Sequence, residues 1–279
     1  MVKSIHSTLF SFDIEWIPDR CAGEHLCGIR QDSPASEMES FQALWKRGGA
    51  SLENLQPYLK TVLCRIVTIA GILRETDPNT KEVSLRLISL PSDVKDREKW
   101  TEAHLIDSFL KAIGKKKPQL VAYNSTQADL PILIQRGIIN GLHQPLFCQR
   151  PEKPWLGVDY FSNAGDFHID LAKIVGSYGN TPSLDEIATL SGIPGKLDTK
   201  GDAVADLWMV GKLDKILQYN ETDAFTTHLL WARIVHFAGL LNPDQYIKEQ
   251  KLVAGLLDQG IAEGKNHFKN FRQKWSFKE

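Results

Sequence analysis

Asp13 and Glu15 lie two residues apart near the start of the chain, at the end of an apolar segment from Leu9 to Trp16. The aromatic and branched residues of this segment predict a β-strand, whose side chains alternate between two faces. Alternation puts the two phenylalanines and Ile14 on one face, toward a core, and Ser11 with the two acids on the other. Adjacent carboxylates repel each other, and their hard oxygen atoms suit Mg²⁺ or Mn²⁺. The pair therefore indicates a divalent-cation site, and a solvated strand edge is the alternative interpretation.

A third acid, Asp129, lies where a predicted strand gives way to a helix. The apolar segment Gln119–Tyr123 predicts the strand, and a polar turn leads from it into a helix at 129–139, which Asn140-Gly141 ends. Aspartate is favoured at the start of a helix because its carboxylate can accept hydrogen bonds from the first free N–H groups. Taken alone, Asp129 is therefore interpreted as a helix cap.

Tyr219 and Asp223 are four residues apart in a segment with helical periodicity. Residues at this spacing share one face of a helix, so a phenol and a carboxylate would lie side by side. The alternative is a polar stripe on a helix that packs through Ile216, Leu217 and Phe225.

The elements that position these residues indicate a mixed α/β protein. Further segments are a helix at 37–46 within an irregular stretch, strands at 65–73 and 83–90, a helix at 98–113 and an extended piece at 167–171. The turn sequence Asp77–Thr80 joins the second and third strands, which predicts an antiparallel meander with the first strand. Strand and helix then alternate, which is typical of a mixed sheet covered by helices.

The composition is that of an ordinary soluble enzyme: of 279 residues, 42% are hydrophobic and 24% are charged, and the net charge is −1. This balance neither requires nor excludes nucleic acid, and it does not indicate an oligomeric state. No segment has the length of a membrane span and the first residues do not form a signal peptide, so we expect a cytoplasmic protein with no membrane partner. Cys21, His25 and Cys27 have no second ligand pair at zinc-site spacing, so reduced thiols are expected.

Basic and aromatic residues interleave in the last part of the chain. Beyond Gly264 the basic residues are Lys265, Lys269, Arg272, Lys274 and Lys278, and the aromatic ones are Phe268, Phe271, Trp275 and Phe277. This pattern fits either a nucleic-acid contact or an amphipathic helix that docks on the protein, and we favour docking. We therefore expect one α/β domain over residues 1–240, with a helical extension over 241–279 packed on it.

Taken in order, these blocks resemble the DEDD 3′–5′ exonucleases, a branch of the ribonuclease H-like fold. The closest subgroup comprises stand-alone proteins similar to the proofreading exonuclease domain of family B DNA polymerases. The resemblance runs from Phe10 to about Arg233. It includes Phe12–Glu15 with Pro18-Asp19, Tyr123-Asn124 with Asp129–Pro131, His168–Leu171, Ser183-Leu184, Gly192–Lys196, Tyr219 with Glu221–Asp223, and Trp231–Arg233, whereas Asn220 replaces a frequent cysteine. It implies a ribonuclease H-like α/β fold with a mixed central sheet flanked by helices.

The resemblance implies that Asp13, Glu15, Asp129 and Asp223 bind two divalent cations, Mg²⁺ or Mn²⁺. Asp13 would bridge the two ions, Glu15 and Asp223 would hold the ion nearer the attacking water, and Asp129 would serve the other, mainly through water. Gln218 stands where one subclass has a histidine, whereas Tyr219 matches the tyrosine subclass, DEDDy. An unperturbed phenol has a pKa of about 10, so we expect Tyr219 to orient the water rather than to act as a base.

Five further residues are expected to bind substrate. Ile14 and Trp16 lie where backbone groups of the family usually meet the 3′ end of the substrate. Trp16 replaces a frequent threonine, and it would either stack on a base or fill the core. Asn124 would hydrogen-bond near the terminal nucleotide or serve as a turn residue. Lys196 and Lys200, in a loop from Gly195 to Gly201, would contact phosphates or remain solvated.

The function implied by the resemblance is metal-dependent 3′–5′ exonuclease activity that releases nucleoside 5′-monophosphates, with single-stranded DNA as the favoured substrate. Two alternatives stay open. One is an exonuclease that trims RNA 3′ ends with the same active site, because recognition of the 2′-hydroxyl depends on details of the pocket. The other is a catalytically silent nucleic-acid-binding module on the same fold.

Overall fold

A mixed sheet forms the centre of the computed structural model, which describes residues 2–30, 36–153, 156–162, 165–177, 179–195 and 203–277. Its strands are β1 (Thr8–Pro18), β2 (Cys64–Thr76), β3 (Val83–Leu90), β4 (Gln119–Ala122) and β5 (His168–Asp170), in the order β3-β2-β1-β4-β5. β1, β2 and β3 form an antiparallel meander, while β4 is parallel to β1 and β5 is parallel to β4. The predicted α/β class with a mixed sheet is confirmed, and the arrangement agrees with a ribonuclease H-like fold.

Helices cover the sheet. They are α1 (Arg20–Cys27), α2 (Ser36–Arg47), α3 (Glu102–Lys116), α4 (Asp129–Ile139), α5 (Pro145–Cys148), α6 (Leu171–Val175), α7 (Leu184–Leu190), α8 (Val204–Met209), α9 (Leu213–Phe237), α10 (Pro243–Ala262) and α11 (His267–Lys274). The helix expected at 98–113 begins later because Arg97–Trp100 forms a separate 3₁₀ turn, which the Asp96 side chain caps. The sequence analysis missed α1, a short and largely polar helix whose cap is Asp19.

Both faces of β1 are covered, which corrects the expectation that only one face is core. Phe10 and Phe12 stack at 6.1 Å on one face, among side chains of α3 and α4. On the other face Ser11 is fully buried, and its hydroxyl hydrogen-bonds His228 Nδ1 of α9 at 3.0 Å. The acids of β1 therefore lie at the open end of the interface between the sheet and α9. The pairing of β1 with β2 also shifts register between Glu15 and Trp16, as in a β-bulge.

The last helices pack against α9. The rings of Phe268 and Phe225 meet edge to face at 5.2 Å, and Phe271 is buried beside them. α10 begins with a capping box, in which Asn242 and Gln245 satisfy each other's backbone N–H groups. The domain boundary at residue 240 stays a prediction. No helix in the described part of the chain is both long and apolar enough to cross a membrane.

A buried ion network ties the end of β1 to α4. Arg136 of α4 donates to Asp19 at 2.8 Å, and it donates twice to Glu102 of α3, at 2.8 and 2.7 Å. Glu102 also accepts the backbone N–H of Ile66 in β2 at 2.7 Å. Because Asp129 is the first residue of α4, this network fixes its position relative to the acids of β1.

We expect Arg136→Met to lower the free energy of unfolding by about 3–5 kcal/mol, because two buried carboxylates would lose their cation. Urea unfolding followed by circular dichroism measures this change. Arg86→Met is the control, since Arg86 pairs with Glu75 at an exposed site and should cost at most about 1 kcal/mol. Equal losses in the two variants would show that the buried network does not hold the elements together.

Candidate active site

Three carboxylates meet where β1 passes under α9. Asp13, Glu15 and Asp223 each bring one oxygen to within 4.8 Å of the others. Alternate residues of a strand point the same way, so the two acids of β1 face α9 together, and the middle of α9 supplies the third. Within the described ranges, this is the one group of three possible His, Cys, Asp or Glu ligands at that spacing. Cys21, His25 and Cys27 do not form such a group.

The electrostatics of this cluster favour a bound cation. Burial raises the pKa of Asp13 well above its usual value, and the charges of Glu15, Asp223 and Asp129 raise it further. A hydrogen bond from Asn220 acts to lower the pKa of Asp13, but the other effects outweigh it. Carboxylate oxygens crowded together in this way are suited to Mg²⁺ or Mn²⁺, whose charge would relieve the repulsion. The residues present therefore fit a divalent cation.

Asp129 lies beside the cluster rather than within it. It is buried, and the backbone N–H of Ile14 hydrogen-bonds its carboxylate from β1. Desolvation raises the pKa of Asp129 to about 7, with a further contribution from the charge of Asp170. Ala128 rather than Asp129 occupies the cap position of α4. The acid is thus placed against the strand that carries Asp13 and Glu15.

Tyr219 lies one turn before Asp223 on the same face of α9, as the spacing predicted. The phenol is buried and donates a hydrogen bond to the Asp223 carboxylate. Burial and the nearby charge of Asp223 raise the pKa of Tyr219 above its ordinary value. The hydroxyl therefore remains protonated, and it can donate a hydrogen bond but cannot serve as a base near neutral pH.

An open cleft of about 1250 Å³ leads to the acids. Ile14, Trp16 and Asn124 all line it, so three of the five expected substrate-binding residues share this space. Asn124 is exposed in a left-handed conformation, φ 58°, and its carbonyl accepts the N–H groups of Gln127 and Ala128, so it is also a turn residue. Trp16 is partly buried against the core. Lys196 and Lys200 lie outside the described residues and stay predictions.

The sequence analysis missed two supporting residues. Asn220 of α9 is fully buried and its Nδ2 donates to Asp13 Oδ2 at 2.7 Å, which joins α9 directly to β1. Asp170, at the end of β5, accepts the backbone N–H of Thr126 at 3.0 Å and that of Ala172 at 3.1 Å. It thereby holds the turn that leads into Asp129. Asp170 belongs to a segment that carried the family resemblance, but Asn220 had no signal beyond its position between two site residues.

Comparison with known proteins gave one family. A model described as a predicted 3′-5′ exonuclease related to the exonuclease domain of PolB matches residues 56–275. The matched range contains Asp129, Tyr219 and Asp223, whereas Asp13 and Glu15 precede it. A search of curated proteins found no match. The resemblance to relatives of the PolB exonuclease domain is confirmed, and the tyrosine subclass stays a prediction.

We expect Asp129→Asn to stabilise the metal-free protein more at pH 8 than at pH 5. The pKa of Asp129 is about 7 in the folded protein against an ordinary value of 3.8, so the folded state binds more protons between these values. The stability that protonated Asp129 contributes is fully present below pH 3.8, and it is lost as the pH rises through 7. Melting temperatures in chelator at several pH values, each compared with the wild type, measure the effect.

Comparing the variant with the wild type at the same pH cancels the contributions of other titrating groups. One of these is His168, because burial lowers its pKa to about 4. Asp244→Asn, at an exposed position on α10, is the matched control and should give a difference that does not change with pH. A pH-independent difference for Asp129→Asn would contradict the expected shift.

Proposed function

Because the chain belongs to the family of predicted 3′-5′ exonucleases related to the exonuclease domain of PolB, we propose that it hydrolyses phosphodiester bonds from the 3′ end of nucleic acid by a two-metal-ion mechanism. The observation that carries this proposal is the meeting of Asp13, Glu15 and Asp223 at the floor of an open cleft. A cleft of this size admits a polynucleotide end, and the acids supply the ligands that the reaction needs.

The acids would hold two divalent cations, Mg²⁺ or Mn²⁺. Asp13, Glu15 and Asp223 form one compact ligand set, and Asp129 lies against the same strand as a ligand for the second ion. When bound, the ions would stabilise the charge that develops on the attacking and leaving oxygens. Asn220 keeps the Asp13 carboxylate in place through its 2.7 Å hydrogen bond.

Tyr219 has the role of a positioned donor in this proposal. Its protonated hydroxyl lies against Asp223, where it can orient a water molecule for attack on the terminal phosphodiester. This arrangement supports the tyrosine subclass, DEDDy. Attack by water on the phosphorus and loss of the upstream 3′ oxygen would release a nucleoside 5′-monophosphate at each step.

Single-stranded DNA is the favoured substrate, and a strand with a free 3′ end is the partner. Trp16, next to Glu15 in the cleft, offers an aromatic surface to a base. An RNA 3′ end would use the same acids, and matched DNA and RNA strands distinguish the two substrates. A silent binding module is the less favoured alternative, because all four acids and Tyr219 are present.

We expect a 5′-labelled single strand to give a ladder that shortens from the 3′ end in Mg²⁺ or Mn²⁺ and disappears in chelator. Asp13→Asn and Asp223→Asn should abolish the ladder. Tyr219→Phe should lower kcat by roughly 10- to 100-fold, the effect of losing a hydrogen bond to a charged group. Asp214→Asn, at an exposed position of α9, is the control and should keep full activity. A folded wild type that degrades neither DNA nor RNA would refute the proposal.

Asn220→Ala should raise the Mn²⁺ concentration needed for half-maximal activity by about 10-fold, because residues that orient metal ligands typically contribute this much to metal affinity. The KM for the oligonucleotide at saturating Mn²⁺ should stay unchanged. Titration of activity with Mn²⁺, together with the Mn²⁺-dependent rise in melting temperature, measures the effect. An unchanged Mn²⁺ requirement in a folded variant would show that Asn220 does not position Asp13.

A further inference from the structure

Thr68 of β2 lies directly opposite Glu15 in the ladder between β1 and β2. Opposed residues of an antiparallel pair place their side chains on the same face of the sheet, with Cβ atoms about 4.5–5.5 Å apart. The threonine hydroxyl is one bond from its Cβ, and the carboxylate oxygens of Glu15 are three bonds from theirs. The two groups can therefore meet without any movement of the backbone.

The face of β2 that carries Thr68 is the face that α9 covers. Ile72, which shares this face because strand side chains alternate, packs in one core with Phe225 of α9. On the same side of the sheet, the carboxylate of Glu15 meets that of Asp223 from α9. The side chain of Thr68 therefore lies under α9, next to the acid cluster.

A β-bulge adjoins Thr68. Trp16, the residue after Glu15, is opposite Ile66, so Val67 is the extra residue at this step of the ladder. Bulges bend a strand and re-aim the neighbouring side chains, and they are frequent next to active sites. Thr68 is thus the last residue of β2 to face the acids before the register shifts.

The hydroxyl of Thr68 is buried without a hydrogen bond. The residue is fully buried, and its Oγ1 has no hydrogen-bond partner within the part of the chain that the structure describes. A buried hydroxyl in this state costs free energy, whereas a valine of the same shape would not. Such a group calls for an explanation, and here it is a hydrogen-bond donor beside a carboxylate that we expect to bind a cation.

We propose that Thr68 is a positioning residue of the metal site, whose hydroxyl donates a hydrogen bond to the Glu15 carboxylate when the cation is bound. The proposal rests on the proposed exonuclease function and adds a residue to the same site. Groups that hydrogen-bond a ligating carboxylate fix its orientation and strengthen metal binding. Asn220 already bonds Asp13 from the helix side, so the two acids of β1 would be supported from α9 and from β2.

Thr68→Val should raise the dissociation constant for Mn²⁺ by roughly 10- to 100-fold, because the Glu15 carboxylate would lose its support. The same variant should raise the melting temperature in chelator by about 2–6 °C, because it removes a buried hydroxyl that has no partner. A merely structural role would not combine weaker metal binding with a more stable metal-free protein. Thr68→Ser keeps the hydroxyl and should bind Mn²⁺ as the wild type does. Calorimetric titration with Mn²⁺ and thermal melting in chelator measure the two effects.

Thr227→Val is the matched control. Thr227 is also fully buried, and its Oγ1 likewise has no partner among the described residues. Because the next residue, His228, contacts Ser11, Thr227 lies toward the start of β1 and away from Glu15. This variant should also melt at a higher temperature in chelator, but it should keep the Mn²⁺ affinity of the wild type.

Double variants identify the group that receives the hydrogen bond. In a Glu15→Ala background the effect of Thr68→Val on Mn²⁺ binding should vanish, whereas in an Asn220→Ala background it should persist. Asn220 Oδ1 is a second buried atom that has no hydrogen-bond partner in the described ranges. The reverse result would show that the hydroxyl acts through Asn220, and it would overturn the proposal. Mn²⁺ affinity equal to that of the wild type in folded Thr68→Val would overturn it as well.

Mn²⁺ binding is measured without nucleic acid, so this proposal and the exonuclease function can fail separately. A wild type that binds Mn²⁺ through Thr68 but degrades neither DNA nor RNA would support the role of Thr68 and refute the exonuclease function. A wild type that degrades strands, while Thr68→Val binds Mn²⁺ with unchanged affinity, would support the exonuclease function and refute the role of Thr68.

Discussion

Mutual repulsion among Asp13, Glu15 and Asp223 is the constraint that the rest of this structure must overcome. Burial raises the pKa of Asp13 and the neighbouring charges raise it further, so without bound metal nothing in the acids themselves favours their meeting. Their position must therefore come from outside the cluster. β1 is fixed at its end by the ion network of Arg136, and α9 is fixed along its length by contacts on the faces that point away from the cleft.

Two paired acids secure α9 in this way. Burial alone would raise the pKa of Glu221, but hydrogen bonds from His267 and Lys265 outweigh it and hold that pKa below its usual value. Glu249 of α10 bonds Arg74 of β2 at 2.9 Å and His228 of α9 at 3.3 Å. One helix thus carries both kinds of carboxylate: Glu221 has protein partners and anchors the helix, and Asp223, two residues later, faces the cleft.

Periodicity and turn residues predicted most of the sheet and several helices, because these features depend on neighbours in sequence. The meeting of Asp13 and Glu15 with Asp223 agrees with the ordered motifs that carry the resemblance, whereas Asp129 lies beside this group. Other features depend on contacts between distant segments and had no local signal. Ser11 is buried because α9 covers its face, Asn220 matters because it reaches Asp13, and Thr68 comes to lie opposite Glu15 only when β2 pairs with β1.

The long separation between the parts of the site sets an order of events during synthesis. Ser11 and His228, which join β1 to α9, are 217 residues apart, and the anchors of Glu221 come later still, at Lys265 and His267. At 5–20 residues per second, roughly 10–50 s pass between emergence of the first strand and of these residues. β1 can pair with β2 early in that time, while its two acids still lack their partner from α9. Asp223 can join them only after α9 has emerged, so the three carboxylates meet late in synthesis, and the partners that hold α9 in place follow later still.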